Sequence, residues 1–210
     1  MALFDKMVVF RQKGITDPQL NHLLSAVIEF LDMCGLGEKI SVKWVSETIN
    51  LSKYVLRDKN DRWNGYLDGQ KIYPDFAKFV VRHFDNALGI LFIKYGVFSI
   101  EEGQRFFING LAPQDNPVIL VYGEDVNRPS WRHGIRMTVW HELGHVFDTQ
   151  PEERTEDFEI TRGRYKHCVS KDCVMQSSVI PPGNASRNNF FCAVCQRYLK
   201  LFLEKNFAST

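Results

Sequence analysis

The chain has 210 residues, a length that suits one domain or a tight pair of domains. Hydrophobic residues make up 44% and charged residues 24%, which disfavours an intrinsically disordered chain. The formal net charge of +1 provides no overall attraction to nucleic acid or to an anionic membrane. No apolar run approaches the roughly 20 residues that span a bilayer, and the first residues lack the basic-then-apolar layout of a signal peptide. We therefore expect a cytoplasmic protein without membrane contacts, for which nucleic acid is not a favoured partner.

Apolar patterning predicts alternating strands and helices through the first two thirds of the chain. The first helix is predicted to begin at Asp17, as the N-cap, and to stop at Gly35. The other helices are predicted over 74–90, from a cap at Asn127 or Ser130 to about 148, and over about 188–205. Strands are predicted at 7–10, 40–44, 91–95, 106–109 and 118–122. This order favours an α+β fold in which helices pack on a mixed, twisted sheet.

Two segments after the third predicted helix have opposite charge. Residues 148–159 contain six acids and one base, and residues 160–210 contain eight bases and two acids. The acidic segment predicts a solvated loop or flexible flap, for which a passive surface loop is favoured over a rim above the cleft.

The sequence HELGH at 141–145 lies inside the third predicted helix. The i, i+4 spacing places His141 and His145 on one helical face, where both imidazoles can bind one tetrahedral metal ion. Glu142 lies beside the pair and can take a proton from a water molecule and return it to a leaving amine. A helix whose histidines merely line a packed or solvated face is the structural alternative.

A catalytic zinc site usually has three protein ligands, so a third must come from elsewhere in the chain. Asp148 is one turn beyond His145, but its short side chain suits a supporting role better. Glu156 and Glu159 lie in the acidic segment, where Pro151 and the charge density disfavour a helix. His167 is the remaining candidate, because it directly precedes a cysteine cluster.

Four of the five cysteines lie close together in the sequence: Cys168, Cys173, Cys192 and Cys195. Two such pairs in a reducing compartment predict one tetrahedral zinc site of structural type rather than disulfides. A redox pair at Cys192 and Cys195, or four buried thiols without a metal, are the alternatives. Cys34 is expected to be a small buried residue.

The order of these motifs resembles that of the archaemetzincins, a branch of the metzincin zinc peptidases. The matching segments are HELGH at 141–145, HC at 167–168, CVM at 173–175, FCAVC at 191–195 and, upstream, FFINGLA at 106–112. The resemblance implies that His141, His145 and His167 bind a catalytic zinc ion, that Glu142 is the general base and that Met175 is the methionine beneath the metal. It also implies that the four cysteines bind a second, structural zinc ion.

One departure from the family pattern concerns the stretch after His145. The family has a glycine at the position of Asp148 and its third histidine shortly afterwards, whereas about sixteen residues are inserted here before His167. Asp adopts a positive φ less readily than Gly. We expect the longer excursion to remove the need for a sharp reversal at Asp148, with Gly163 supplying a turn instead.

These observations predict a single metallopeptidase domain over residues 1–210, in which 1–148 end in the active-site helix and 160–210 carry the cysteine site. Peptides, short ones among them, are the expected substrates, and two zinc ions are the expected cofactors. The alternative is a non-catalytic zinc module whose basic C-terminal segment binds nucleic acid or a protein. A peptidase fold that has lost its catalytic zinc is a third possibility. Two zinc ions per chain fit the first hypothesis, and one fits either of the others.

Overall fold

A computed structural model of the chain describes residues 4–101, 103–112, 117–123, 129–149, 151, 153–161, 165–170, 173–176 and 191–207. The strands are β1 (Lys6–Gln12), β2 (Ser41–Ile49), β3 (Leu67–Asp68), β4 (Ala87–Ile93), β5 (Val97–Glu101), β6 (Gln104–Ile108), β7 (Gly110–Leu111), β8 (Val118–Tyr122), β9 (Phe158–Thr161) and β10 (Tyr165–Cys168). The α-helices are α1 (Asp17–Met33), α2 (Gly69–His83), α3 (Pro129–Val146) and α4 (Ala193–Phe207). Over the residues described, none of these helices has the length and apolar character that a membrane span requires.

The largest sheet has five strands in the order β2-β1-β4-β8-β7. Its first four strands are parallel, and β7 pairs with β8 in the antiparallel direction at one edge. A second sheet has the order β3-β5-β6, and β9 and β10 form an antiparallel pair of their own. The mixed sheet with packed helices that the sequence predicts is therefore confirmed.

Side chains of the central strands alternate between two cores, one on each face of the large sheet. In β1, Met7 and Val9 belong to one core, whereas Val8 and Phe10 belong to the other. Helices α1, α3 and α4 pack in the first core and α2 packs in the second. Because both faces are covered, the parallel strands read as continuous apolar runs, as in β8, where all five residues are buried.

The first helix begins at Asp17, but its N-cap is Thr16 rather than the predicted Asp17. The backbone N–H of Thr16 donates a 2.9 Å hydrogen bond to Oε1 of Gln19, which is one half of a capping box. The predicted stop is confirmed, since Gly35 follows the helix with a φ of 66° that glycine adopts without strain.

The other helices differ from the prediction at their ends. α2 begins five residues before the predicted start, because Asp68 is its N-cap and accepts a hydrogen bond from the backbone N–H of Lys71. Pro74, the first residue of the predicted range, is the sixth residue of α2. Of the two caps predicted for α3, Ser130 lies within the helix and Asn127 lies outside the described residues. α4 begins at Ala193, and residues 188–190 of its predicted range also lie outside them.

The acidic segment is only in part the solvated loop that its charge predicts: Glu153, Glu156, Asp157 and Glu159 are exposed, but other residues of the segment are buried. Thr149 is fully buried and the side chain of Arg154 is 1% exposed, while β9 forms at the end of the segment. The backbone N–H of Arg154 donates a 3.0 Å hydrogen bond to the carbonyl oxygen of Pro151. The prediction failed for Thr149 and Arg154, because a count of charges does not reveal that the one base in the segment has partners inside the fold.

Candidate metal centre

α3 presents His141 and His145 on one face, one turn apart. Their ring centroids are 4.8 Å apart and their Nε2 atoms are 3.1 Å apart. Nδ1 of His141 forms a 2.7 Å hydrogen bond with the carbonyl oxygen of Val174. Because a carbonyl oxygen only accepts, Nδ1 carries the hydrogen and the lone pair of the neutral ring lies on Nε2, toward His145.

The third imidazole reaches the same place from β10. The ring centroid of His167 lies 5.3 Å from that of His141 and 5.2 Å from that of His145. The next residue, Cys168, donates a 2.8 Å backbone hydrogen bond to the carbonyl oxygen of Met175, which fixes the end of the strand. One ring nitrogen of each histidine lies within 4.8 Å of the other two.

This donor set fits a zinc ion. Two imidazole nitrogens bound to one tetrahedral zinc lie about 3.3 Å apart, close to the 3.1 Å between His141 and His145. Burial lowers the pKa of His141 to about 4, and burial also lowers the pKa of His145. Both rings are therefore neutral at pH 7 and have a lone pair to donate to a metal.

The other three candidates for a third ligand do not join this group. Among the residues described, the histidine cluster contains His167 and no carboxylate. Asp148 follows α3 with a φ of 52°, and Glu156 pairs with Arg197. Glu159 is exposed on β9.

Asp148 makes the sharp reversal that the inserted residues were expected to render unnecessary. With its positive φ, its backbone N–H donates to the carbonyl oxygen of His145, and the N–H of Thr149 donates to that of Gly144. These two bonds form a Schellman motif with Asp148 at the position that glycine usually occupies. The expectation that no reversal was needed is therefore wrong, and Gly163 lies outside the described residues.

Glu142 is 6% exposed and lies beside the histidine pair. Burial raises the pKa of its carboxyl group to about 8, against the lowering effect of a hydrogen bond with the backbone of Ala112. A carboxyl group whose pKa lies near neutrality both accepts and returns a proton readily. The carboxylate also lies directly against Gly110 of β7.

Met175 packs against α3 at Gly144. Its side chain is fully buried, and its sulfur contacts Gly144, between the two helix histidines in sequence. The preceding residue, Val174, provides the carbonyl oxygen that holds His141. The turn that carries Met175 therefore supports both the helix and a histidine on it.

The four clustered cysteines form a second group in the structure. Their sulfur atoms all lie within 4.8 Å of one another, and all are free thiols. The Sγ atoms of Cys168 and Cys192 are 3.5 Å apart, as are those of Cys173 and Cys195. Each close contact thus joins a cysteine at or shortly after β10 to a cysteine at the start of α4.

This second group also fits a zinc ion. Two thiolates bound to one tetrahedral zinc lie about 3.8 Å apart, near the observed 3.5 Å. Hydrogen bonds among the four sulfurs lower the pKa of Cys168 to about 6 and raise the pKa of Cys195. Thiols that share protons in this way cannot all ionise together without a cation, because four adjacent thiolates repel one another.

Sequence reasoning missed three residues that contact either Glu142 or the cysteine cluster. Gly110 and Ala112 approach Glu142, and Arg154 contacts the cysteine cluster. The first two lie in the upstream segment 106–112 that resembles a family strand, which was the available signal. Nothing in the sequence distinguished Arg154 from an exposed arginine.

Comparison with solved structures identifies proteins whose fold is similar to that of this chain. The chain is similar to archaemetzincin from Methanopyrus kandleri, with a TM-score of 0.62, 17% sequence identity and 96% of each chain covered. The chain has the archaemetzincin fold. It is also similar to metalloproteinase-II from Bacteroides fragilis, with a TM-score of 0.48 and 12% identity over 96% of this chain and 53% of that one. No protein-family model and no curated protein matches the sequence.

The archaemetzincin likeness confirms, at the level of the fold, the resemblance that the motifs indicate. It extends over nearly the whole of both chains, whereas the motif resemblance covers little more than residues 141–195. The first hundred residues, in which no family motif is recognisable, therefore belong to the same architecture.

Proposed function

We propose that the protein is a zinc metallopeptidase of the archaemetzincin type that hydrolyses peptide bonds, including those of short peptides. The observation that carries the proposal is the convergence of three imidazoles beside one buried carboxylate. The likeness to a protein described as an archaemetzincin supports it. We further propose that residues 1–210 act as a single metallopeptidase domain and that the protein is cytoplasmic, where free cysteines persist.

We assign two zinc ions to the chain. His141, His145 and His167 would hold the catalytic ion, and the four cysteines would hold the structural one. A zinc ion in a three-histidine site polarises a carbonyl group and acidifies a water molecule when bound. The residues of this chain supply the ligands, their orientation and the proton transfer.

Glu142 carries the proton in this proposal. Its carboxylate accepts a proton as the oxygen of a water molecule bonds to the carbonyl carbon of the scissile peptide. It then delivers that proton to the nitrogen of the leaving amine as the carbon–nitrogen bond breaks. The hydrogen bond with the backbone of Ala112 holds the carboxylate in place between the two steps.

The decisive test replaces Glu142 with Gln, which has the same shape but cannot accept the proton. We expect both zinc ions to remain and the rate of peptide hydrolysis to fall by about 10²–10⁴-fold. Glu38→Gln, at an exposed position, is the matched control and should leave the rate unchanged. Undiminished turnover by Glu142→Gln would contradict the mechanism.

Metal counting separates this proposal from a non-catalytic zinc module or a peptidase fold without its catalytic metal. Elemental analysis of the purified chain should give two zinc ions, and His167→Ala should retain one. A wild-type chain with one zinc ion, retained in His167→Ala, would instead favour one of the alternatives. Salt-dependent binding to DNA would then support the nucleic-acid module.

A further inference from the structure

Arg154 is the largest side chain buried to this degree in the described part of the protein, with 1% of its surface exposed. A guanidinium group remains charged at any pH the protein meets. Burying such a charge is unfavourable unless hydrogen bonds and an opposite charge compensate it. The position of Arg154 therefore requires partners that the sequence of the acidic segment does not predict.

All five N–H groups of Arg154 have acceptors. Three point to carbonyl oxygens of its own segment: Nε to Glu156 at 2.7 Å, Nη1 to Thr149 at 3.3 Å and Nη2 to Asp157 at 2.7 Å. The other two point to the cysteine cluster, with Nη1 3.2 Å from Sγ of Cys195 and Nη2 3.8 Å from Sγ of Cys168. The carbonyl contacts fold the segment around the guanidinium, and the sulfur contacts join it to the cysteines.

The positive charge of Arg154 is opposite to the negative charge expected of the zinc-loaded cysteine cluster. Four thiolates around one zinc ion carry a net charge of about −2. A cation in contact with two of the sulfurs, away from solvent, offsets part of this charge where the dielectric screening is weak. Residues that hydrogen-bond to metal ligands commonly alter metal affinity by about 10–100-fold.

The same contacts also bear on His167. The carbonyl oxygens of Glu156 and Asp157 that Arg154 holds lie just before β9, which pairs with β10 so that Glu159 is opposite His167. Nζ of Lys166 donates a 3.0 Å hydrogen bond back to the carbonyl oxygen of Arg154. The segment is thus tied to the strand pair at both strands.

We propose that Arg154 is a positioning residue that links the two metal centres. Its charge stabilises the metal-loaded cysteine cluster, and its hydrogen bonds hold the β9–β10 pair so that His167 stays beside His141 and His145. This inference rests on the proposed function, because it assumes that both groups bind zinc. It assigns a structural purpose to the acidic segment 148–159, whose one base, Arg154, anchors it to the cysteines.

The test compares Arg154→Met, which removes the charge at similar volume, with Arg154→Lys, which keeps the charge and loses the planar fork. We expect Arg154→Met to release zinc from the cysteine cluster to a competing chelator about 10–100-fold more readily. In the cobalt-substituted protein, the thiolate-to-cobalt charge-transfer band follows this site by itself. Arg154→Lys should recover part of the retention.

Arg197→Met is the matched control. Arg197 also lies over the ring of Tyr198, 5.3 Å from its centroid compared with 5.5 Å for Arg154, but its side chain is about half exposed and pairs with Glu156. We expect it to retain both metals as the wild type does. Loss of metal from Arg197→Met equal to that from Arg154→Met would show that the aromatic packing, not the contact with sulfur, is responsible.

The second readout is the zinc content of the three-histidine site. After dialysis, the three-histidine site of Arg154→Met should hold less than one equivalent of zinc, although none of the three histidines has been changed. Wild-type retention at both sites in Arg154→Met, or equal losses in Arg154→Met and Arg154→Lys, would overturn the inference. If Arg154→Met does not fold, Arg154→Lys is measured against the wild type, and wild-type zinc retention at both sites would overturn the inference.

A failure of the proposed function gives a different result from a failure of this inference. A wild-type chain that holds zinc only at the cysteines contradicts the metallopeptidase proposal, and chelator release from the cysteines still decides whether the charge of Arg154 matters. A wild-type chain with two zinc ions, both insensitive to Arg154→Met, leaves the metallopeptidase proposal standing and refutes the link.

Discussion

Gly144 lies directly against the sulfur of Met175, so closely that a Cβ atom at position 144 would overlap Sδ. The same Cβ would also come within 3.2 Å of Cε of Met175 and of a ring carbon of Phe191. Met175 is fully buried and Phe191 is 2% exposed, so neither has free space into which to move. A glycine between the two helix histidines thus lets the methionine turn approach α3.

Gly144→Ala should therefore destabilise the protein by about 1–3 kcal/mol, as overpacking of a full core does. Gly134→Ala is the matched control in the same helix, because a Cβ there would meet nothing within 4 Å. The control should stabilise the protein by about 0.5–1 kcal/mol, since alanine is the better helix former. Urea unfolding of both variants measures the difference, and equal effects would show that the methionine contact is not tight.

Gly110→Ala should disturb the carboxylate of Glu142, the proposed general base. A Cβ at position 110 would lie 2.6 Å from Cγ and 2.7 Å from Cδ of Glu142, which must then move away from the backbone of Ala112. We expect at least a ten-fold loss of peptidase activity with both zinc ions retained. Unfolding measurements should show a coupling of about 0.5–3 kcal/mol between Gly110→Ala and Glu142→Ala, because removing the carboxylate removes the clash. Purely additive effects would contradict the contact.

Thiol counting should distinguish the cysteines by their roles. Burial raises the pKa of Cys34 to about 12, so at pH 8 it is a protonated thiol that reacts slowly with a disulfide reagent. The four clustered thiols should be protected while zinc is bound, become reactive after chelation, and make a total of five in denaturant. In Cys34→Ser the denatured total should fall to four without a change in the native count. A total below five in the unreduced wild type would indicate a disulfide.

Asp148 offers a test of the turn after α3. Its φ of 52° lies in the left-handed region, which costs L-residues about 1–2 kcal/mol and glycine almost nothing. Asp148→Val should destabilise the protein by about that amount or more, and Asp148→Gly should not. Asp148→Asn, which also tolerates this conformation, controls for the loss of charge. A valine variant as stable as the wild type would contradict the assigned turn, as measured by thermal unfolding.

Local spacing explains which parts of the site could be predicted. His141 and His145 are one helical turn apart, and Cys192 and Cys195 lie at the start of α4, so each arrangement depends on a few neighbouring residues. β8 was predicted with its observed bounds, 118–122, because a five-residue apolar run between polar residues fits a strand buried on both faces. These are cases in which the sequence pattern and the tertiary environment agree.

The parts that could not be predicted depend on contacts between distant segments. The partners of Arg154 include Cys195, 41 residues further along the chain, and the approach of Gly110 to Glu142 joins an edge strand to a helix. The early start of α2 was missed because Asp68 is an equally ordinary residue for a loop. For Arg154 and Gly110 the deciding partner is therefore distant in sequence, whereas the cap at Asp68 is a local contact with Lys71.

The last helix has a consequence for shortened forms of the protein. α4 carries Cys195 near its start and ends at Phe207, which stacks on Phe147 with ring centroids 6.2 Å apart, and Phe202 contacts the same ring at 5.7 Å. Phe147 directly follows α3. A protease that cut after Gln196 would spare every histidine and cysteine of the two clusters, yet remove two of the four rings that pack on Phe147. Such a fragment would keep every candidate metal ligand and yet unfold at temperatures at which the intact chain stays folded.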